Sequence, residues 1–391
     1  MLSASKSNRL LLLVIVSIFW IGYPLFFGQR IVDIVIFIAF LFCLREQKKV
    51  HLVRGWQLYS FLLLCSYFII TWCLNFIVGN VPSISGFYLF SKILFICSFV
   101  YIISVYMKGL SLDEYKKFVV ILLFIFLSLC SWAIFYVVFH DSLFAGWHPR
   151  PSFPFIKDTR LSDAHLLAAY FAISLIFFSE NLGKFFERMP FFVMPILLCF
   201  GSVAIIATGS RIALAIIIFW VLIKASRQPA FLIKVIFILL CFILVFFLFV
   251  QDSGFDYQLD RLFSFSFEET SSIGKRLVRF LEVFRESGEY YYIFGKSLLY
   301  SDVFYFDGVI SFLLANFGIL GPVAFASGLI FVSYNFLLTG RTDRLLLGAF
   351  MVSLLASEFF LISRFMVPVV FYFYISRYSR FSKISSTQAV N

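Results

Sequence analysis

A chain of 391 residues that is 62% hydrophobic and only 14% charged, with a mean hydropathy of +0.99, is no water-soluble domain, because an ordinary globular chain is about half apolar and about a quarter charged. That composition excludes a cytosolic enzyme, a disordered chain and a nucleic-acid binder, and the net charge of +11 is read first for membrane topology. The chain reads as an all-α polytopic integral membrane protein, one transmembrane domain over 1–391.

Crossing the hydrocarbon layer takes about 20 mainly apolar residues. Apolar runs bounded by charge stand at 10–27, 31–44, 56–78, 87–106, 118–139, 165–179, 189–208, 212–223, 231–250, 316–338, 345–362 and 365–376, which predicts about twelve transmembrane helices. The runs 31–44, 212–223 and 365–376 are short, so they borrow flanking residues or re-enter the membrane. The first run follows Lys6 and Arg9 without a small-residue cleavage site and reads as an uncleaved first span. Cys43, Cys65, Cys73, Cys97, Cys130, Cys199 and Cys241 all lie within apolar runs, with no C-x-x-C spacing. They read as small buried residues, and no disulfide framework is expected.

Lys and Arg in short loops set the orientation. With the N-terminus inside, the cytoplasmic segments are 1–9, 45–55, 107–117, 179–190, 224–230, 339–344 and the tail 377–391, and they hold most of the basic residues. Both termini are then cytoplasmic. The outer face receives 140–164 and 251–308, and loops beyond about 12–15 residues usually exist for function. The large loop carries Arg261, Lys275, Arg276, Arg279, Arg285 and Lys296, which is compatible with the orientation because long translocated segments escape the positive-inside bias. Leu277, Phe280, Leu281 and Phe284 recur at the spacing of an amphipathic helix. Arg276 flanks that stripe and is placed to face a pocket, whereas Arg279 points away with Glu282 and Glu286. Segments 79–86, 107–117 and 179–190 carry no signal beyond topology, and Lys92 either meets a lipid phosphate or snorkels.

The sharpest local feature is Thr208-Gly209-Ser210-Arg211, at the outer junction of two spans. An arginine at membrane depth is expensive and faces a cavity or a partner, unless it snorkels to anchor the helix end. The hydroxyl and backbone donors before it open a helix, where anions bind well, and the guanidinium fork suits phosphate. A second outer cluster holds Arg150, Lys157 and Arg160 and runs into Asp163-Ala164-His165. His165 is either a hydrogen-bonded interfacial residue or part of the chemistry. The sequence has no H-E-x-x-H and no paired His/Cys spacing, so no metal site is expected. Phe294-Gly295-Lys296-Ser297 lacks the earlier glycine of a phosphate-binding loop, position 290 being Tyr. Finally, Asp307 stands at the start of an apolar helix that runs to a Gly318-x-x-Gly321-Pro322 turn, as a cap or as a carboxylate over the same outer surface.

These residues together resemble the O-antigen polymerase and O-antigen ligase superfamily. The resemblance rests on Thr208 to Arg211 opening a span, the long outer loop with Arg276 to Phe280 and Phe294-Gly295, and the closing stretch from Asp307 to Gly321. Arg160 and the run from Ala164 to Tyr170 match more loosely. Ligases of that superfamily carry a His near the closing helix where this chain has Asp307, which favours the polymerase branch. Asp163-Ala164-His165 replaces a frequent Pro-Asn.

The resemblance implies a GT-C-like glycosyltransferase architecture in the bacterial inner membrane, with its large periplasmic loop carrying short amphipathic helices. It implies polymerisation of undecaprenyl-pyrophosphate-linked oligosaccharide repeat units into O-antigen or a related surface polysaccharide at the periplasmic face. The expected partners are that lipid-linked substrate and the bilayer, with a chain-length regulator and a flippase alongside; no nucleic acid and no cofactor are expected. Arg211, Arg276, Arg160, Ser210 and Arg279 are the expected pyrophosphate-binding residues, and Asp307 or His165 the base. Two alternatives stand beside this: a ligase moving polymer to lipid A-core, and a lipid-linked oligosaccharide flippase. A flippase should show two comparable halves and mid-span charges, whereas here no internal repeat is found and the charges gather at the outer rim.

Overall fold

Ser111 shows how the helices of this chain are started. Its hydroxyl accepts from the Glu114 N–H at 3.4 Å, and its own N–H donates to Glu114 Oε2 at 2.7 Å. This reciprocal capping box satisfies two of the backbone donors that a helix start otherwise leaves open. It launches α1 (Leu112–Val138) six residues before the apolar run begins, so the charged first turn is part of the helix. The computed structural model describes residues 110–147, 149–151, 161–186, 193–228, 255–263, 309–323, 341–354 and 369–376, with isolated positions at 38, 66, 70, 73, 77, 231, 236, 278 and 281. Among the described residues every regular element is a helix. The runs 10–27, 31–44 and 87–106 and the tail 377–391 lie outside them, except for position 38.

After α1 come α2 (His140–Leu143), α3 (Leu161–Phe185), α4 (Val193–Ala207), α5 (Arg211–Ala225), α6 (Phe255–Phe263), α7 (Val309–Phe317) and α8 (Arg341–Leu354), with a further helical stretch at 369–376. The helices α1 and α3 are long and apolar enough to cross a membrane. The chain divides into two compact units: Met1–Gly109 with Ser266–Thr339 and Leu354–Val367, and Leu110–Phe265 with Gly340–Ser353 and Pro368–Asn391.

In the second unit α4 is the central element, packed against α1, α3, α5 and α6, while α3 also packs on α1 and α5. Gly201 makes the close approach possible: a Cβ there would lie 3.0 Å from Leu175 Cδ1 and 3.1 Å from Phe126 Cζ. Phe126 of α1 meets Phe171 edge-on and Phe178 at a tilt, both from α3. Tyr372 stacks on Phe177 with centroids 4.4 Å apart. Its hydroxyl would be costly in such a core without partners, and it shares hydrogen bonds with Ser174 Oγ at 2.8 Å and Tyr170 at 3.3 Å. That polar knot ties 369–376 to the middle of α3.

In the first unit, α7 ends where the sequence places its Gly-x-x-Gly-Pro turn. Gly318 adopts φ +61 and its N–H returns to the Leu314 carbonyl at 2.9 Å, the left-handed glycine stop of a helix. A Cβ at Gly321 would lie 2.6 Å from Phe317 Cβ and 2.8 Å from the Leu313 carbonyl oxygen, so the chain folds back tightly on α7. A helical turn at 320–323 follows, inside the expected span 316–338, whose remainder lies outside the described residues. Val278 and Leu281 are helical, and Leu281 is exposed; the rest of the expected stripe, Leu277, Phe280 and Phe284, lies outside the described residues.

Candidate functional site

One end of the second unit is formed by the C-termini of α1 and α4, the N-termini of α3 and α5, the 149–151 segment and α6. The turn between α4 and α5 is the 208–211 feature. The Thr208 hydroxyl donates to the Ile205 carbonyl at 2.6 Å, and Gly209 then reverses the chain at φ +61, a conformation that costs other residues about 1–2 kcal/mol. Ser210 is extended and N-caps α5, its Oγ accepting from the Ala213 N–H at 3.5 Å. Arg211, the first residue of α5, therefore leaves the turn in a fixed direction.

Arg211 spends its fork on protein. Its Nε and Nη2 donate to the Arg261 carbonyl at 2.9 and 2.6 Å, which draws α6 across the end of α5. The Arg211 guanidinium opens α5 partly buried, within reach of the charge of Arg261. A carbonyl carries no net charge of its own, and the charge of Arg261 acts on Arg211 from nearby.

The opposite edge of α6 is held as well. Gln258, wholly buried, donates from Nε2 to the Pro149 carbonyl at 2.7 Å. Its Oε1 has no hydrogen-bond partner among the described residues and is pressed against Gly209, where a Cβ would lie 2.5 Å from it. Arg150, also wholly buried, donates from Nε to the Thr208 carbonyl at 2.7 Å. That carbonyl is one of those a helix C-terminus leaves open. Arg150 Nη1 lies 3.5 Å from His165 Nε2, and His165 Nδ1 lies 3.2 Å from Ser210 Oγ.

Beside this network lies an aromatic cluster. Tyr136 stacks on Phe144 at 4.7 Å, Trp132 meets Phe144 edge-on, and Phe144 meets Trp147 in the same way. The group packs against Val203, Ala207 and Phe255. His140 closes it, with Nε2 3.2 Å from the Trp147 carbonyl.

Of the residues expected from sequence, Ser210, Arg211 and His165 converge at this end of the unit. Arg160, Arg276, Arg279 and Asp307 lie outside the described residues. Arg150 and Arg261, which the sequence places in the second outer cluster and the large loop without a site role, also belong to this end of the unit, and Gln258, which the sequence does not mark, joins them. A signal for Arg150 was present, because an arginine between Pro149 and Pro151 has its backbone restricted on both sides. Gln258 and Arg261 lie on α6, whose Phe255, Gln258 and Leu262 form its buried face; no run of apolar residues announces it. The chain matches no known family model and no curated protein.

Proposed function

We propose that this chain is a periplasmic-face glycosyltransferase of the bacterial inner membrane that polymerises undecaprenyl-pyrophosphate-linked oligosaccharide repeats into O-antigen or a related surface polysaccharide. The observation that carries the reading is the arginine-bearing turn at one end of an apolar helical unit, where Arg211 donates to the backbone carbonyl of Arg261 and the charge of Arg261 acts on Arg211. A multiply anionic group such as a diphosphate is attracted to a site where two arginine charges act on each other. The α5 N-terminus adds its own preference for anions.

In this reading an acceptor hydroxyl oxygen attacks the anomeric carbon of the lipid-linked donor from the face opposite the diphosphate. The carbon–oxygen bond to the diphosphate breaks, the diphosphate leaves with the electron pair, and the hydroxyl proton passes to a base. Fixed arginines stabilise the leaving charge where it develops, with no metal needed. Asp307 is the base by resemblance, and Arg160, Arg276 and Arg279 join the diphosphate site on the same ground. Both termini then lie in the cytoplasm, and a chain-length regulator and a flippase work alongside.

The test is Arg211→Lys in cells lacking the native copy. Lysine keeps the charge and loses the two-point grip on the Arg261 carbonyl that fixes its direction, so both the amount and the length of surface polymer should fall, while unchanged polymer would reject the diphosphate role. Deleting the protein should leave surface lipopolysaccharide bearing a single repeat unit. Bare core with lipid-linked polymer accumulating would point instead to ligation, and repeats trapped on the inner face to flipping.

A further inference from the structure

We infer that His165 is a positioning residue for the 208–211 turn, held as a neutral imidazole with its proton on Nδ1, and that it is not the base. This deepens the reading above by assigning His165 within its site; the geometry itself stands apart from that reading.

A guanidinium has donors only, so the contact between Arg150 Nη1 and His165 Nε2, at 3.5 Å, requires Nε2 to present its lone pair. A neutral imidazole carries one N–H, which is then on Nδ1 and donates to Ser210 Oγ at 3.2 Å. Ser210 Oγ also accepts from the Ala213 N–H at 3.5 Å, so both of its lone pairs are engaged. Arg150 is itself fixed: it is wholly buried, it donates to the Thr208 carbonyl at 2.7 Å, and Gln258 grips the carbonyl of Pro149 before it. Direction therefore passes from Arg150 through His165 to Ser210 and the first turn of α5, and Arg211 inherits it. A general base must aim its lone pair at the proton it removes. The lone pair of His165 faces Arg150.

The full chain labelled with 15N-histidine and held in detergent micelles at pH 8 provides the test. The His165 ring signals, identified by their loss in His165→Asn, should show a protonated Nδ1 and a bare Nε2. Arg150→Met should shift the Nε2 resonance. A protonated Nε2 in the native chain would overturn the inference; should Arg150→Met not fold, the native tautomer alone decides. In cells, His165→Asn retains an N–H for Ser210 but has no basic nitrogen, so its loss of polymer should stay well short of the about hundredfold or more that losing a general base costs. A loss on that larger scale with the variant present in the membrane would also overturn the inference. Absence of polymer from the native chain would instead reject the proposed reaction, with the tautomer still deciding the role of His165.

Discussion

Gly183 and Gly209 show how differently one residue type is used within a single unit. Gly183 lies in the last turns of α3, and a Cβ there meets nothing within 4 Å. Glycine inside a helix costs about 0.5–1 kcal/mol relative to alanine, so Gly183→Ala should raise the thermal midpoint of the full chain in detergent. Gly209 is at φ +61 with Gln258 Oε1 and Arg261 Cδ against its backbone, at 2.5 and 3.2 Å from a Cβ position. Gly209→Ala therefore meets left-handed strain of about 1–2 kcal/mol and a displaced Gln258, which releases the Pro149 carbonyl. The midpoint should fall. Opposite signs from the same substitution are the expected outcome, and equal shifts would remove the argument for close contact between α6 and the turn.

At the far ends of α3 and α5, Glu180 and Lys224 form an ion pair at 3.1 Å with each side chain only 14% exposed. The Trp220 indole N–H donates to the same carboxylate at 3.3 Å, and the Lys224 ammonium lies over the rings of Trp220 and Phe231. Removing one partner of a largely buried pair strands the other, at a cost on the order of 3 kcal/mol. Lys224→Met should accordingly lower the thermal midpoint sharply, and adding Glu180→Gln should restore part of the loss; additive losses would mean that the two groups do not couple. Hydropathy made α1, α3, α4 and α5 legible because each is apolar along most of its length, but it placed their ends poorly. Residues 107–117 and 179–190, read for topology alone, hold the Ser111–Glu114 capping box and the carboxylate of the Glu180 clamp. The capping box follows a recognisable Ser-x-x-Glu pattern. The clamp joins residues 44 apart on different helices, and nothing local in the sequence marks it. The site divides in the same way. Ser210 and Arg211 stand out within four consecutive residues, whereas Arg150, Gln258 and Arg261 gain their meaning from partners 50 to 109 residues away.

The helix α5, with 15 residues, is about 22 Å long at 1.5 Å per residue, while the hydrocarbon layer is about 30 Å thick. As a span in the proposed topology, a helix that short would bring both its terminal charges toward membrane depth, where charged side chains turn to protein partners. Both do so here: Arg211 grips the Arg261 carbonyl and Lys224 pairs with Glu180. If α5 crosses the membrane, its two ends must lie in different compartments. Ala145, exposed in the segment that joins the site end, and Ser226, which caps α5 at the other end, provide reporters. With the seven native cysteines replaced, Ala145→Cys should react with a membrane-impermeant maleimide in cells whose outer membrane has been permeabilised, because the proposed site faces the periplasm. Ser226→Cys should react only once the inner membrane is opened. The reverse order would place the arginine turn in the cytoplasm, away from lipid-linked repeats on the periplasmic side. Equal labelling of both positions from one side would mean that α5 does not cross the bilayer.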